Sequence, residues 1–283
     1  MYFKHLHGGA LFAITDTSAR PPETFQFEGH AGGSGPPRAE LWEEDPLNWF
    51  DPTLDQVLDR DDVVGWYEPG DGIRHACIWN TTGPLYLPAL PGGAAGEARK
   101  VNRDGDMVGW SEDAAGRHRA VLWRAIAPIG ANGEAAMDPL DLGTLGGTSA
   151  EANSINGAGQ VVGWAEAPDG GRHAFLWTPD GTDGDPANPR MLDLGTLDAP
   201  NGVANDINDQ EHVVGEILGA NGPGFFWSRA SGMTCIAGLN ANTVRALAVN
   251  RNDVVVGTAR ARSGREDVVF RWVWAAADGG QRQ

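Results

Sequence analysis

The chain has 283 residues with a formal net charge of −17, and 41% of it is hydrophobic. That charge repels a phosphate backbone or an anionic bilayer, so neither nucleic acid nor membrane is expected as a partner. No apolar run is long enough to span a membrane, and the N-terminal MYFKHLHGG has no apolar stretch of the kind a signal peptide needs. On that reading the chain as it stands is cytoplasmic.

In chain order, the first unit is irregular. Leu6 to Ala13 fits the repeat described below only loosely. A long Gly- and Pro-rich segment, 15–38, follows it and carries Phe25, Phe27, Glu28 and His30. Long connections inside compact domains are either functional or disordered, and a lid is expected here. Trp42 then closes the unit.

From there the pattern is plain. Val63-Val64-Gly65-Trp66, Met107-Val108-Gly109-Trp110 and Val161-Val162-Gly163-Trp164 are near copies, continued by Val213-Val214-Gly215-Glu216 and Val255-Val256-Gly257-Thr258. Asn102, Asn156, Asn208 and Asn250 stand at one fixed distance before these glycines. A second series places Trp42, Trp79, Trp123, Trp177, Trp227 and Trp272 in one slot. A third is Leu140-Asp141-Leu142-Gly143-Thr144-Leu145 and Leu192-Asp193-Leu194-Gly195-Thr196-Leu197. Six units of about 47 residues result, a period typical of propeller blades.

Each unit predicts four short strands. Strand A ends at the Asn, and a turn rich in Asn, Asp and Gly follows. Strand B is the β-branched VVG run, strand C ends in the Trp, and strand D is the LDLGTL run. The whole chain therefore predicts a single all-β domain, a six-bladed β-propeller of four-stranded antiparallel blades. An open β-solenoid is the alternative.

The run Asp141-Leu142-Gly143-Thr144-Leu145-Gly146-Gly147-Thr148-Ser149, with Ala152-Asn153-Ser154-Ile155-Asn156, Gly159-Gln160-Val161-Val162-Gly163-Trp164 and His173-Ala174-Phe175-Leu176-Trp177, resembles the HAF-repeat family, the probable extracellular repeat proteins of bacteria. The resemblance is strong there, weakens across 59–274 and is poor over 1–58. It implies a repeat fold and an extracellular location, and it carries no activity.

Residues that every unit keeps predict structure: the strand-C tryptophans as packing between blades, the VVG glycines as close backbone approaches, and Ala98, Ala152, Ala204 and Ala246 as clearance near the axis. Cys77 reads as a core filler, and a Cys77–Cys235 disulfide is not expected three repeats apart. An apparent histidine ring fails on alignment, because the slot of His75 and His173 holds Arg119 in the unit between them; a locally hydrogen-bonded histidine is expected instead. The Asp-rich run 180–185 reads as a solvated turn, its spacing being unlike that of a calcium loop.

Function is expected where the repeats differ, on the face carrying the B–C and D–A loops. Trp66, Trp110 and Trp164 are candidates to stack on a ligand, with Arg99, Glu151, Asn153, Asn205 and Arg245, and Phe25 and Phe27 from the long loop, to orient it. The leading expectation is a binding propeller for a carbohydrate or small molecule, without cofactor or metal and monomeric. The alternative is a cofactor-independent lyase, cyclase or isomerase, with Glu216, Glu166 or His30 moving protons. A scaffold for other proteins is the third. No phosphate-binding loop, HExxH or GxSxG motif occurs.

Overall fold

A computed structural model of the chain describes residues 63–80, 83–125, 137–219, 221–236, 241–261 and 267–274, and the short pair β1 (Tyr2–Phe3) and β2 (Phe12–Ala13). Eighteen further strands form five antiparallel sheets in which every strand pairs with its neighbour in sequence. Sheet I holds β3 (Val63–Tyr67), β4 (His75–Asn80) and β5 (Gly83–Tyr86). Sheet II holds β6 (Gly96–Val101), β7 (Met107–Glu112), β8 (His118–Ala125) and β9 (Met137–Asp141). Sheet III holds β10 (Ala150–Ile155), β11 (Val161–Glu166), β12 (Arg172–Trp177) and β13 (Met191–Gly195). Sheet IV holds β14 (Gly202–Ile207), β15 (Val213–Ile217), β16 (Gly224–Ser228) and β17 (Gly232–Cys235). Sheet V holds β18 (Ala241–Val249), β19 (Val254–Ala261) and β20 (Asp267–Val273). Among the described residues there is no helix, and so none that is long and apolar enough to cross a membrane.

The sheets are buried on both faces, which is why strands B and C read as unbroken apolar runs rather than alternating ones. The period of two is still present. Val161, Phe175 and Trp177 face sheet II, where they meet Val108 and Leu122; Val162 and Leu176 face sheet IV, where they meet Val213, Phe225 and Trp227. The same parity holds between sheets I and II, where Val64 and Ile78 meet Met107, Val121 and Trp123, and between IV and V, where Val214 and Phe226 meet Val255 and Phe270. Trp123 and Trp177 are completely enclosed, and the Trp123 indole donates to Pro88 O at 2.8 Å. Cys77 is buried too, and burial pushes its thiol pKa well up; both it and Cys235 are free thiols.

Every described first strand carries a bulge at one position, between Ala98 and Lys100, Ala152 and Ser154, Ala204 and Asp206, and Ala246 and Ala248. Opposite the bulge sits the VVG glycine. A Cβ on Gly109, Gly163, Gly215 or Gly257 would overlap the carbonyl oxygen of Glu97, Glu151, Val203 or Arg245. The close approach expected of these glycines is therefore what the bulge requires.

Two boundaries differ from expectation. Strand A stops one residue before the Asn, whose side chain belongs to the turn. Strand D begins earlier than the LDLGTL run and ends within it, because Gly143 and Gly195 have φ of 87° and 89° and leave the extended region. Asp141 and Asp193 fix that exit by accepting from the Gly143 and Gly195 amides at 2.9 and 2.8 Å.

The first strands β6, β10, β14 and β18 lie against one another in succession. Lys100 on β6 reaches Asp206 on β14 at 2.6 Å, past the intervening sheet III, and Ser154 on β10 donates to the same carboxylate oxygen at 2.7 Å. Three consecutive first strands thus point these side chains at one shared line.

Candidate functional site

The strands alternate in direction, so the described parts of the B–C connections (68–74, 113–117, 167–171, 218–219 with 221–223) and of the D–A connections (87–95, 142–149, 196–201) emerge on one edge of the sheets. Backbone and side chains clamp them together. Glu166, at the end of β11, accepts from Thr148 Oγ1 at 2.6 Å and from the Thr148 and Ser149 amides at 2.7 and 3.2 Å. Those donors, the Thr148 hydroxyl first, hold its carboxyl below the ordinary glutamate range. Glu112 does the same work one sheet earlier, accepting from the Ala95 amide at 3.1 Å. Glu166, expected as a proton carrier in the enzymatic alternative, is placed here as a loop clamp.

The three rim tryptophans are each covered from one slot, five residues before the strand-C Trp. Arg74 lies 4.4 Å from the Trp66 ring centroid, Arg172 lies 4.1 Å from that of Trp164, and His118 stacks on Trp110 at 3.8 Å and 11°. Trp110 and Trp164 are only 5% and 7% exposed. Stacking on a ligand would require them to displace His118 or Arg172. Trp66 is half-buried.

Beneath the tryptophans the strand-A residues join sheet to sheet. Glu151 meets Arg99 Nη2 at 2.7 Å, His118 Nδ1 at 2.7 Å and the Trp164 indole N–H at 3.2 Å. Burial works to raise its pKa, but the hydrogen bond from His118 and the charge of Arg99 outweigh burial and hold it at about 2. Arg99 also contacts Glu97 at 3.3 Å and donates to Asn153 Oδ1 at 2.7 Å. Arg99, Asn153 and Asn205 are the bulged residues themselves; Asn153 donates to Ala204 O at 2.8 Å and Asn205 to Ala246 O at 2.9 Å. Between sheets IV and V, Glu216 in the Trp slot pairs with Arg245 at 2.8 Å.

The structure thus brings Trp66, Trp110, Trp164, Arg99, Glu151, Asn153, Asn205, Glu216 and Arg245 to one rim, with Glu166 on its loops. Phe25, Phe27, His30 and the expected lid over 15–38 lie outside the described residues. The covering slot of Arg74, His118 and Arg172 escapes sequence reasoning that looks one residue later, at His75, Arg119 and His173. Those three bond locally to carboxylates, His75 to Asp71 at 2.8 Å, Arg119 to Asp141 at 3.0 Å and His173 to Asp193 at 2.7 Å.

Among the described residues no three metal-ligating side chains gather, and Asp183 of the Asp-rich turn is engaged by Arg229. A cleft of about 60 Å³ between sheets I and II, lined by His75, Leu87, Pro88, Ser111 and Trp123 among others, has room for a few waters and none for a sugar. A scan of the chain against known protein families finds no match, and a search among curated proteins finds none.

Proposed function

We propose that the chain is a six-bladed β-propeller of the HAF-repeat kind and that it is a binding protein, taking a carbohydrate or another small molecule at the loop rim. The sixth unit comes from the N-terminal repeat that closes at Trp42. Support for the ring lies in the convergence of Lys100, Ser154 and Asp206 on one line.

The observation that carries the binding reading is where the repeats vary. The strand-C Trp, the VVG glycine, the strand-A Ala and the turn Asn recur from sheet to sheet, and the other packing slots stay apolar. At the rim the chemistry changes: Trp66, Trp110 and Trp164 become Glu216 and Thr258, and Glu97 and Glu151 become Val203 and Arg245. On the opposite edge Gly105 and Gly159 give way to Glu211 and Asp253, whose side chains bond the neighbouring turns; the loss of an aromatic series at the rim fits a recognition surface.

Among the expected proton carriers, Glu166 is held below the ordinary glutamate range by the Thr148 and Ser149 donors, which argues against it as a general acid at neutral pH.

The test is a panel of neutral oligosaccharides and metabolites, read by melting temperature and then calorimetry, with products followed by NMR. A ligand that raises the melting temperature and is recovered unchanged is expected. Turnover that falls in Glu216→Gln would overturn the binding reading in favour of the enzyme.

A further inference from the structure

Four Asn-Gly pairs occur in the chain: Asn132-Gly133, Asn156-Gly157, Asn201-Gly202 and Asn221-Gly222. Asparagine is a chemically labile residue, and a following glycine, with no Cβ to shield its amide nitrogen, leaves that nitrogen open to attack the asparagine side chain. In the sequence the four pairs are equivalent. The fold separates them. The first lies outside the described residues.

Asn156 is buried, and both ends of its side chain are engaged. Its Oδ1 accepts from the Ala158 and Gln160 amides, and its Nδ2 donates to Gln160 Oε1 and Asn208 O. The Gly157 amide is itself held by Asp209 Oδ1 at 2.7 Å. Asn201 Oδ1 accepts from the Arg172 amide at 2.9 Å, and Gly202 is fixed in β14 opposite Ile217. Asn221 differs from both. It is exposed in the B–C connection of sheet IV, and its side-chain amide has no hydrogen-bond partner among the described residues. Its φ of 124° is one that residues with a side chain rarely adopt. The Gly222 amide makes one long bond, to Gly219 O at 3.3 Å.

We propose that Asn221 is a site of spontaneous deamidation, which loosens the rim between sheets IV and V as the protein ages. The Gly222 amide nitrogen loses its proton and bonds to Asn221 Cγ. The Cγ–Nδ2 bond breaks, and Nδ2 takes up a proton and leaves as ammonia. The cyclic imide then adds one water and opens at either carbonyl, to aspartate or to isoaspartate, whose main chain runs through the side-chain methylene. The step needs water alone, with no oxidant, cofactor or second protein. Both products add a negative charge, and isoaspartate adds one atom to the main chain where the fold has no room for it. A Cβ on Gly222 would overlap Ile217 O, so the backbone is close-packed there. Pro223 O accepts from the Ile217 amide at 2.9 Å, and Gly222 O accepts from the Val244 amide at 3.0 Å, joining sheet IV to sheet V. One residue along from Ile217 and from Val244, Glu216 pairs with Arg245 at 2.8 Å. Lengthening the chain at Asn221 therefore pulls on the contacts that close this part of the rim.

The test is to age the full chain at mildly alkaline pH beside the free peptide of residues 218–224, and to read each asparagine by peptide mapping with mass spectrometry. Asn221 is expected to convert at least about tenfold faster than Asn156 or Asn201, whose hydrogen bonds must break before the ring can close. Conversion of Asn221 no faster than of those two, or none while the free peptide converts, overturns the site. The aged chain is expected to melt below the fresh one. Asn221→Gly, which accepts the positive φ and lacks the side-chain amide, is expected to keep its melting temperature on ageing. An aged chain that carries isoaspartate at 221 and melts like the fresh one overturns the loosening of the rim, as does an equal fall in Asn221→Gly.

Discussion

At the residue scale, one asparagine per repeat does two jobs. Asn156 Oδ1 accepts from the Ala158 and Gln160 amides, both at 3.0 Å, closing the A–B turn, and its Nδ2 donates to Asn208 O at 3.1 Å in the next sheet. Asn102 donates likewise to Asn156 O, and Asn208 to Asn250 O, so a line of amides stitches sheets II to V. The turn's fourth residue is left-handed throughout. It is glycine at 105 and 159, but Glu211 (φ 65°) and Asp253 (φ 57°) accept that backbone and use their side chains to hold Gln160 and His212 at 2.6 Å. Asn156→Ala strands these buried donors and acceptors, and a loss of about 3 kcal/mol is expected in urea denaturation. Substitution of an exposed residue such as Asp104 should leave the midpoint unmoved. Glu151 gives a pH signature. Its pKa is about 2 folded against 4.5 for an ordinary glutamate, so the unfolded chain binds more protons between these values. Its contribution, of order 3 kcal/mol, is present above about pH 4.5 and is lost as the pH falls toward 2. The acid limb of the stability curve should be shallower in Glu151→Gln; an identical limb would deny the shift.

At the element scale, the bulge and the VVG glycine act as a pair. Gly163→Ala drives a methyl into Glu151 O, a backbone atom that no rotamer change can move. A loss of about 3 kcal/mol or more is expected by thermal denaturation, against a small effect at the open Gly170, apart from its left-handed backbone. Strands B and C were legible in the sequence because burial on both faces makes them unbroken and apolar. The asparagines were legible as markers, but their partners lie a whole repeat away, and spacing does not show which carbonyl an amide meets. Strand D was misjudged because the conserved-looking run Leu142 to Leu145 is a loop held by Asp141. The rim tryptophans were visible as a series. Their covers were missed because Arg74, His118 and Arg172 share a slot but not a chemistry, and a slot filled by Arg, His and Arg does not look repeated.

At the scale of the whole molecule, each described interface repeats the same apolar packing, and aromatic residues give way to polar ones on the edge where the B–C and D–A connections emerge. The proposal that the sheets form a ring rests on the convergence of the first strands. Sheets packed in a straight row stand about 10 Å apart, which would separate sheets II and IV by about 20 Å and leave their side chains uncoupled. The contact of Lys100 with Asp206 at 2.6 Å, flanked by Ser154 and by the Val249 amide on the other carboxylate oxygen at 2.9 Å, belongs to strands facing one axis. A double-mutant cycle with Lys100→Met and Asp206→Asn, read by urea denaturation, tests this directly. A coupling of about 1 to 3 kcal/mol is predicted, and additivity within about 0.5 kcal/mol would contradict the convergence on a common axis.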